Sequence, residues 1–141
     1  ILSNYDRNEI SWSLEKGSGI VQGNAFLRRN DGMLVKCSGQ KVTLRAAGTY
    51  ATERYTKLYG SSLGGYNNSK NVEDAQPGYL EDARETVCDV DGKFEFKDVA
   101  AGKYYVHTGV FWSVGYQRQG GFLSKLITVK DGETLKVVLS R

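Results

Sequence analysis

The sequence predicts an all-β domain, and three observations carry that reading. Phe94 and Phe96 lie two apart between charged Lys93, Glu95 and Lys97. A period of two puts both rings on one face of a strand and the charges on the other. Turn residues bracket that strand, Asp91-Gly92 before it and Ala101-Gly102 after it, where glycine accepts a positive φ without steric cost. Tyr104, Val106, Thr108 and Val110 then share one face of the next segment. Strands with one apolar and one polar face belong to antiparallel sheets that lay one side on a core.

The elements follow in order. Residues 1–17 hold Ile10, Trp12 and Leu14 in alternation, which predicts an extended arm packed on the edge of a domain spanning 18–141. A first strand covers about 18–29, with Val21, Ala25 and Leu27 on one face. Asn30-Asp31-Gly32 turns the chain, and 33–36 is a short extended piece. A second strand at about 41–47 points Val42, Leu44 and Ala46 inward. An insertion at 48–82 then breaks the pattern. Thr49 can cap a helix, Ala51, Tyr55 and Leu58 recur at i, i+4 and i+7, and Gly60 is placed to stop it. One short helix is expected there. Residues 61–78, rich in Gly, Ser, Asn and Asp, read as a long mobile loop. Extended structure resumes at 81–89, and strands follow at about 92–98, 103–112, 121–129 and 133–140. Seven strands separated by turn signals make a β-sandwich. The expected core contains Val42, Leu44, Phe94, Phe96, Tyr104, Val106, Leu135, Val137 and Leu139.

Composition sets bounds on function. A chain of 141 residues is one domain by length. The net charge of +3, with 19 basic residues interleaved among 16 acids, lacks the clustered footprint of a nucleic-acid binder. No apolar run approaches the ~18 residues of a membrane helix. The opening Ile1-Leu2-Ser3-Asn4 has no initiator Met. That is expected of a processed or trimmed chain, including one that has lost a signal peptide or lipoprotein leader and with it a lipid anchor. Cys37 and Cys88 are too few and too far apart for a zinc site. They are either two small core residues or one disulfide. The disulfide is the expectation: it closes a loop of about 50 residues around the insertion, and it belongs to an oxidising compartment.

The pattern Thr86, Asp89, Asp91, Gly92, Phe94, Phe96, Val99, Ala101, Gly102, Tyr104, Val106 resembles the signature of carboxypeptidase regulatory-like domains. Residues 19–27 resemble that family's first strand, 41–44 its second, and 127–139 its last hairpin. The resemblance implies a seven-stranded, Greek-key, transthyretin-like β-sandwich with one short inserted helix. It also implies an exported bacterial protein, periplasmic or associated with the outer membrane. It is nearly silent on function, since one fold hosts many roles.

Candidate chemistry is sparse. His107 is the only histidine, predicted on the outer face with Tyr105 and Phe111. No nucleophile motif such as G-x-S-x-G accompanies it. A purine-pathway hydrolase of the transthyretin-like fold relies on several histidines, so its activity is not expected. An unusual hydrolytic site would need His107, Asp89 and Asp91 to converge. Asp89-x-Asp91-Gly92 lacks a closing glutamate, with Ala100 at that position of a calcium loop, so both aspartates read as turn formers. Neither a metal nor a cofactor is expected. What remains is aromatic. Tyr50, Tyr55, Tyr59, Tyr66 and Tyr79 crowd the insertion, beside Tyr105 of the outer sheet face. Such rings either cover one another beneath the helix or form an exposed surface on which sugars and proteins dock. The expectation is a non-catalytic binding or accessory domain for a protein or glycan partner, with Tyr55, Tyr59, Tyr66 and Tyr105 as binding residues. The alternative is a structural part of a surface or secretion assembly, joined to its neighbours through the arm.

Overall fold

The structure is a computed structural model and describes residues 1–141. Nine strands form two sheets, with two α-helices outside them. In the first sheet β1 (Gly19–Arg28) is central. It pairs antiparallel with β6 (Lys93–Val99), parallel with β9 (Thr134–Leu139), and through its last residues with β2 (Leu34–Lys36). The second sheet runs β4 (Gly64–Asn67), β8 (Gln117–Val129), β7 (Gly102–Val114), β3 (Lys41–Ala46), β5 (Arg84–Val87), with every pairing antiparallel.

One buried cluster lies between the sheets. Val21, Ala25, Phe94, Phe96, Val137 and Leu139 enter from one side, and Val42, Leu44, Tyr104, Val106, Leu123 and Ile127 from the other. The alternation that predicted inward faces therefore holds, except that Leu135 is only partly buried at the margin. Gly23 is required under Phe94: a Cβ there would lie 2.3 Å from the ring's Cζ. Cys37 and Cys88 form the expected disulfide, with Cα atoms 5.8 Å apart.

Nine strands replace the expected seven. The short piece at 33–36 pairs with β1 as β2, and β4 arises inside the supposed mobile loop by pairing with β8. The rest of that segment is also tied down. The Asn67 carboxamide accepts from the N–H groups of Ser69 and Lys70, and Tyr50 accepts from the Gln76 N–H. The arm differs too. Asp6 caps a helical turn, α1 (Arg7–Ile10), which runs into a 3-10 turn at Ser11–Leu14. The predicted extended alternation fails because Asp6 supplies a side-chain acceptor to Asn8 N–H and local capping wins. Ile10 is drawn into the core, and Trp12 lies on Gly102 and edge-on to Tyr104.

The inserted helix α2 (Thr49–Tyr59) ends at Gly60 in the left-handed conformation, as expected. Its start is different. Gly48 is the N-cap residue, and the Glu9 carboxylate of the arm accepts from both Thr49 N–H and Thr49 Oγ1, each at 2.7 Å. No helix of the structure is long and apolar enough to cross a membrane.

Candidate functional site

Helix α2 lies on the outer face of the five-stranded sheet. This is why β3 is buried at five consecutive positions rather than at alternate ones. Its inward residues meet the core, and its outward residues Thr43 and Arg45 lie beneath the insertion. Between helix and sheet opens a cleft of about 560 Å³. Its floor is a row across the sheet. Lys41, Thr43 and Arg45 come from β3, Glu85 of β5 sits opposite Thr43 on one side, and His107 of β7 on the other. One wall is a single helical face: Arg54, Tyr55, Leu58 and Tyr59. The rim is made by Asn67, Lys70 and Asn71 on one side and by Tyr79, Leu80 and Glu81 on the other, with Phe122 of β8 at the end.

Aromatic packing fixes the wall. The Tyr55 ring stacks on Tyr105 at 4.2 Å, nearly parallel, and Tyr59 follows at 5.9 Å. The Tyr105 hydroxyl donates to the Ser62 carbonyl at 2.6 Å, holding the chain just beyond the helix. Tyr55 Oη and His107 Nδ1 are 2.5 Å apart. Burial raises the Tyr55 phenol far above its ordinary range and, with the charges of Arg45 and Lys41, pushes His107 down to about 4. At neutral pH the phenol is thus the donor and Nδ1 the acceptor, which leaves the imidazole proton on Nε2. Nε2 makes no hydrogen bond within the protein.

The cleft holds two buried guanidinium groups. Arg45 is 6% exposed and Arg54 is 9% exposed. Arg45 donates to the Tyr79 carbonyl and lies 4.1 Å over that ring. Arg54 donates to the Glu73 carbonyl at 2.8 Å and sits 5.1 Å over the Tyr79 ring.

The four tyrosines singled out in the sequence do not form one surface. Tyr59 is half-buried and lines the cleft. Tyr55 lines it from within the wall, where it is buried, and Tyr105 is buried beneath Tyr55. Tyr66 faces the other way. β4 sets it opposite Leu123, so its ring packs at the margin of the inter-sheet core and under Arg141 at 4.4 Å. Of an exposed tyrosine patch and rings that cover one another, the structure has the second for Tyr55 and Tyr105. Sequence reasoning missed Phe122, and it missed Arg45, Arg54 and Asn67 because charged and amide side chains read as solvated when only one strand face is assumed to be covered.

The hydrolytic triad weighed above does not assemble. Asp89 Oδ1 accepts from the N–H groups of Asp91 and Lys93 in the turn before β6, and neither aspartate borders the cleft that His107 lines. Ser124, across the strand pair from His107, leaves its hydroxyl without a partner. No group of three or more His, Cys, Asp or Glu side chains is placed to hold a metal.

No family model matches the chain, and no curated protein matches it. Among solved structures, the crystal structure of a Pseudomonas aeruginosa protein to which carbohydrate binding is ascribed matches over 100% of both chains, with a TM-score of 0.81 and 25% sequence identity. The class so defined is a mostly-β, two-sheet protein carrying a helix-roofed cleft.

Proposed function

We propose that this protein is a non-catalytic binding domain that holds a glycan in the cleft between α2 and the outer sheet face. The observation that carries the reading is the make-up of that cleft. Its volume falls within the ~300–1,000 Å³ usual for small-ligand sites. Half-buried Tyr59 and 44%-exposed Phe122 offer ring faces to a sugar, and Asn71 and His107 Nε2 sit around them as hydrogen-bonding groups. Tyr55 and Tyr105 serve as the buried support that fixes Tyr59, and Tyr66 takes no part. The likeness to the Pseudomonas protein, whose ascribed ligand is a carbohydrate, points the same way.

The fold reading extends the same proposal. A Greek-key, transthyretin-like sandwich of the carboxypeptidase regulatory-like type accounts for the motif from Thr86 to Val106 and for the two-sheet core. The Cys37–Cys88 bond supports an exported protein of the periplasm or outer membrane.

Glycan-array screening followed by calorimetry tests the function. Tyr59→Ala and Phe122→Ala should each weaken glycan binding about tenfold, in the range expected when an interface aromatic is removed, while thermal unfolding stays near wild type. A folded double variant with unchanged affinity would place the ligand elsewhere. Binding to a protein and to no glycan would favour the protein-partner alternative.

A further inference from the structure

Arg45 and Arg54 are buried without an anion. Neither makes an ion pair, and the Nε of Arg45 has no hydrogen-bond partner. Their contacts are carbonyl oxygens, the hydroxyls of Tyr55 and Tyr79, and ring faces, which soften a positive charge without neutralising it. Asp82 borders the same small void as Arg45, but it is occupied by Arg7 at 3.1 Å and by the Tyr5 hydroxyl. Elsewhere in the cleft Lys41 and Glu85 satisfy each other at 3.1 Å. The cleft wall therefore carries four cations, Lys41, Arg45, Arg54 and Lys70, against two carboxylates, Glu81 and Glu85, a balance of +2.

A guanidinium taken out of water is costly unless an opposite charge meets it. A concave site with walls of low polarisability also concentrates its potential inward. We propose that the cleft recognises an acidic glycan, with a sugar carboxylate drawn to the Arg45–Arg54 side while the sugar ring rests against Tyr59 and Phe122. This inference rests on the glycan-binding reading and narrows it to uronate-bearing chains. A neutral sugar leaves both arginines as they are. A carboxylate supplies the missing charge, and its two oxygens match the planar fork of arginine better than a point cation.

The test is calorimetry on the full chain with galacturonate, mannuronate and glucuronate oligosaccharides, each beside its methyl ester, and with a sulfated neutral oligosaccharide. At least one uronate oligosaccharide should bind, and its methyl ester should bind at least about tenfold more weakly, the size of a desolvated charge contact. Raising sodium chloride from about 50 to 500 mM should weaken the acidic ligand several-fold. Lys70 is exposed, so Lys70→Gln reports on the charge without risk to the fold, and Arg54→Gln should give the larger loss. Equal affinity for acid and ester overturns the inference and leaves the glycan reading standing. Binding of the sulfated but not the carboxylated chain overturns the choice of carboxylate. Binding of none of these sugars, nor of any neutral one, overturns both.

Discussion

His107 is where burial, charge and hydrogen bonding meet at one side chain. Its imidazole has a pKa near 6.5 in the unfolded chain and is pushed down to about 4 in the folded one, first by burial and then by Arg45 and Lys41. Between those values the unfolded state binds the proton and the folded state does not. The contribution to stability is therefore complete above about pH 6.5 and is lost as the pH falls through 4. Protonation also removes the Nδ1 lone pair that accepts from Tyr55. Urea unfolding in steps from pH 7.5 to 4.5 should show stability declining through this window, and His107→Gln should flatten the decline. An equal slope in the variant would assign it to other groups. Glu53 belongs to a lower window: donors from Ser3 and Leu2 hold its carboxyl at about 2, so its contribution persists until the medium is more acid still.

At the scale of elements, the helix that roofs the cleft is capped from outside itself. Glu9 arrives from the arm, 40 residues away, to accept from Thr49 at the positive end of the α2 dipole. Glu9→Ala should lower stability by about 1 kcal/mol, the usual cost of losing an N-terminal cap. Glu9→Gln, which keeps an acceptor oxygen, should recover part of it, and chemical denaturation of both variants checks this. The same element shows what a sequence can disclose. Helix α2 was legible because its period and its terminal Gly60 are local facts, as was β6 from Phe94 and Phe96. The cap was not, because Glu9 is distant and Thr49 looked sufficient. β4 was hidden for a related reason: Gly64, Gly65 and Asn67 carry little intrinsic strand preference, and their pairing with β8 imposes it. That pairing also decides that Tyr66 faces away from Tyr55 and Tyr59. The tyrosine-rich insertion could thus be picked out as a stretch that borders the cleft, while the side of the sheet each ring would occupy could not.

Across the whole molecule, the cleft draws on chain from Lys41 to Phe122, yet most of it falls between the two cysteines. β3, α2, β4 and β5 all lie within the 51-residue separation of Cys37 and Cys88; only His107 and Phe122 come from beyond it. Such a closure restricts the unfolded chain by about 4 kcal/mol on the loop-entropy model. It also makes the insertion a covalent ring threaded onto the sandwich by one bond. A protease that cuts once in the exposed stretch around Asn68 to Asn71 or at Pro77-Gly78 severs the ring without releasing either end. The nicked protein should run as one species without reductant and as two fragments with it, and it should keep its ligand until the disulfide is reduced. Two fragments without reductant would show the bond unformed. For a domain exposed to proteases, the segment between the cysteines would then be the part of the surface that tolerates a cut, because the bond keeps both ends of a broken loop in place.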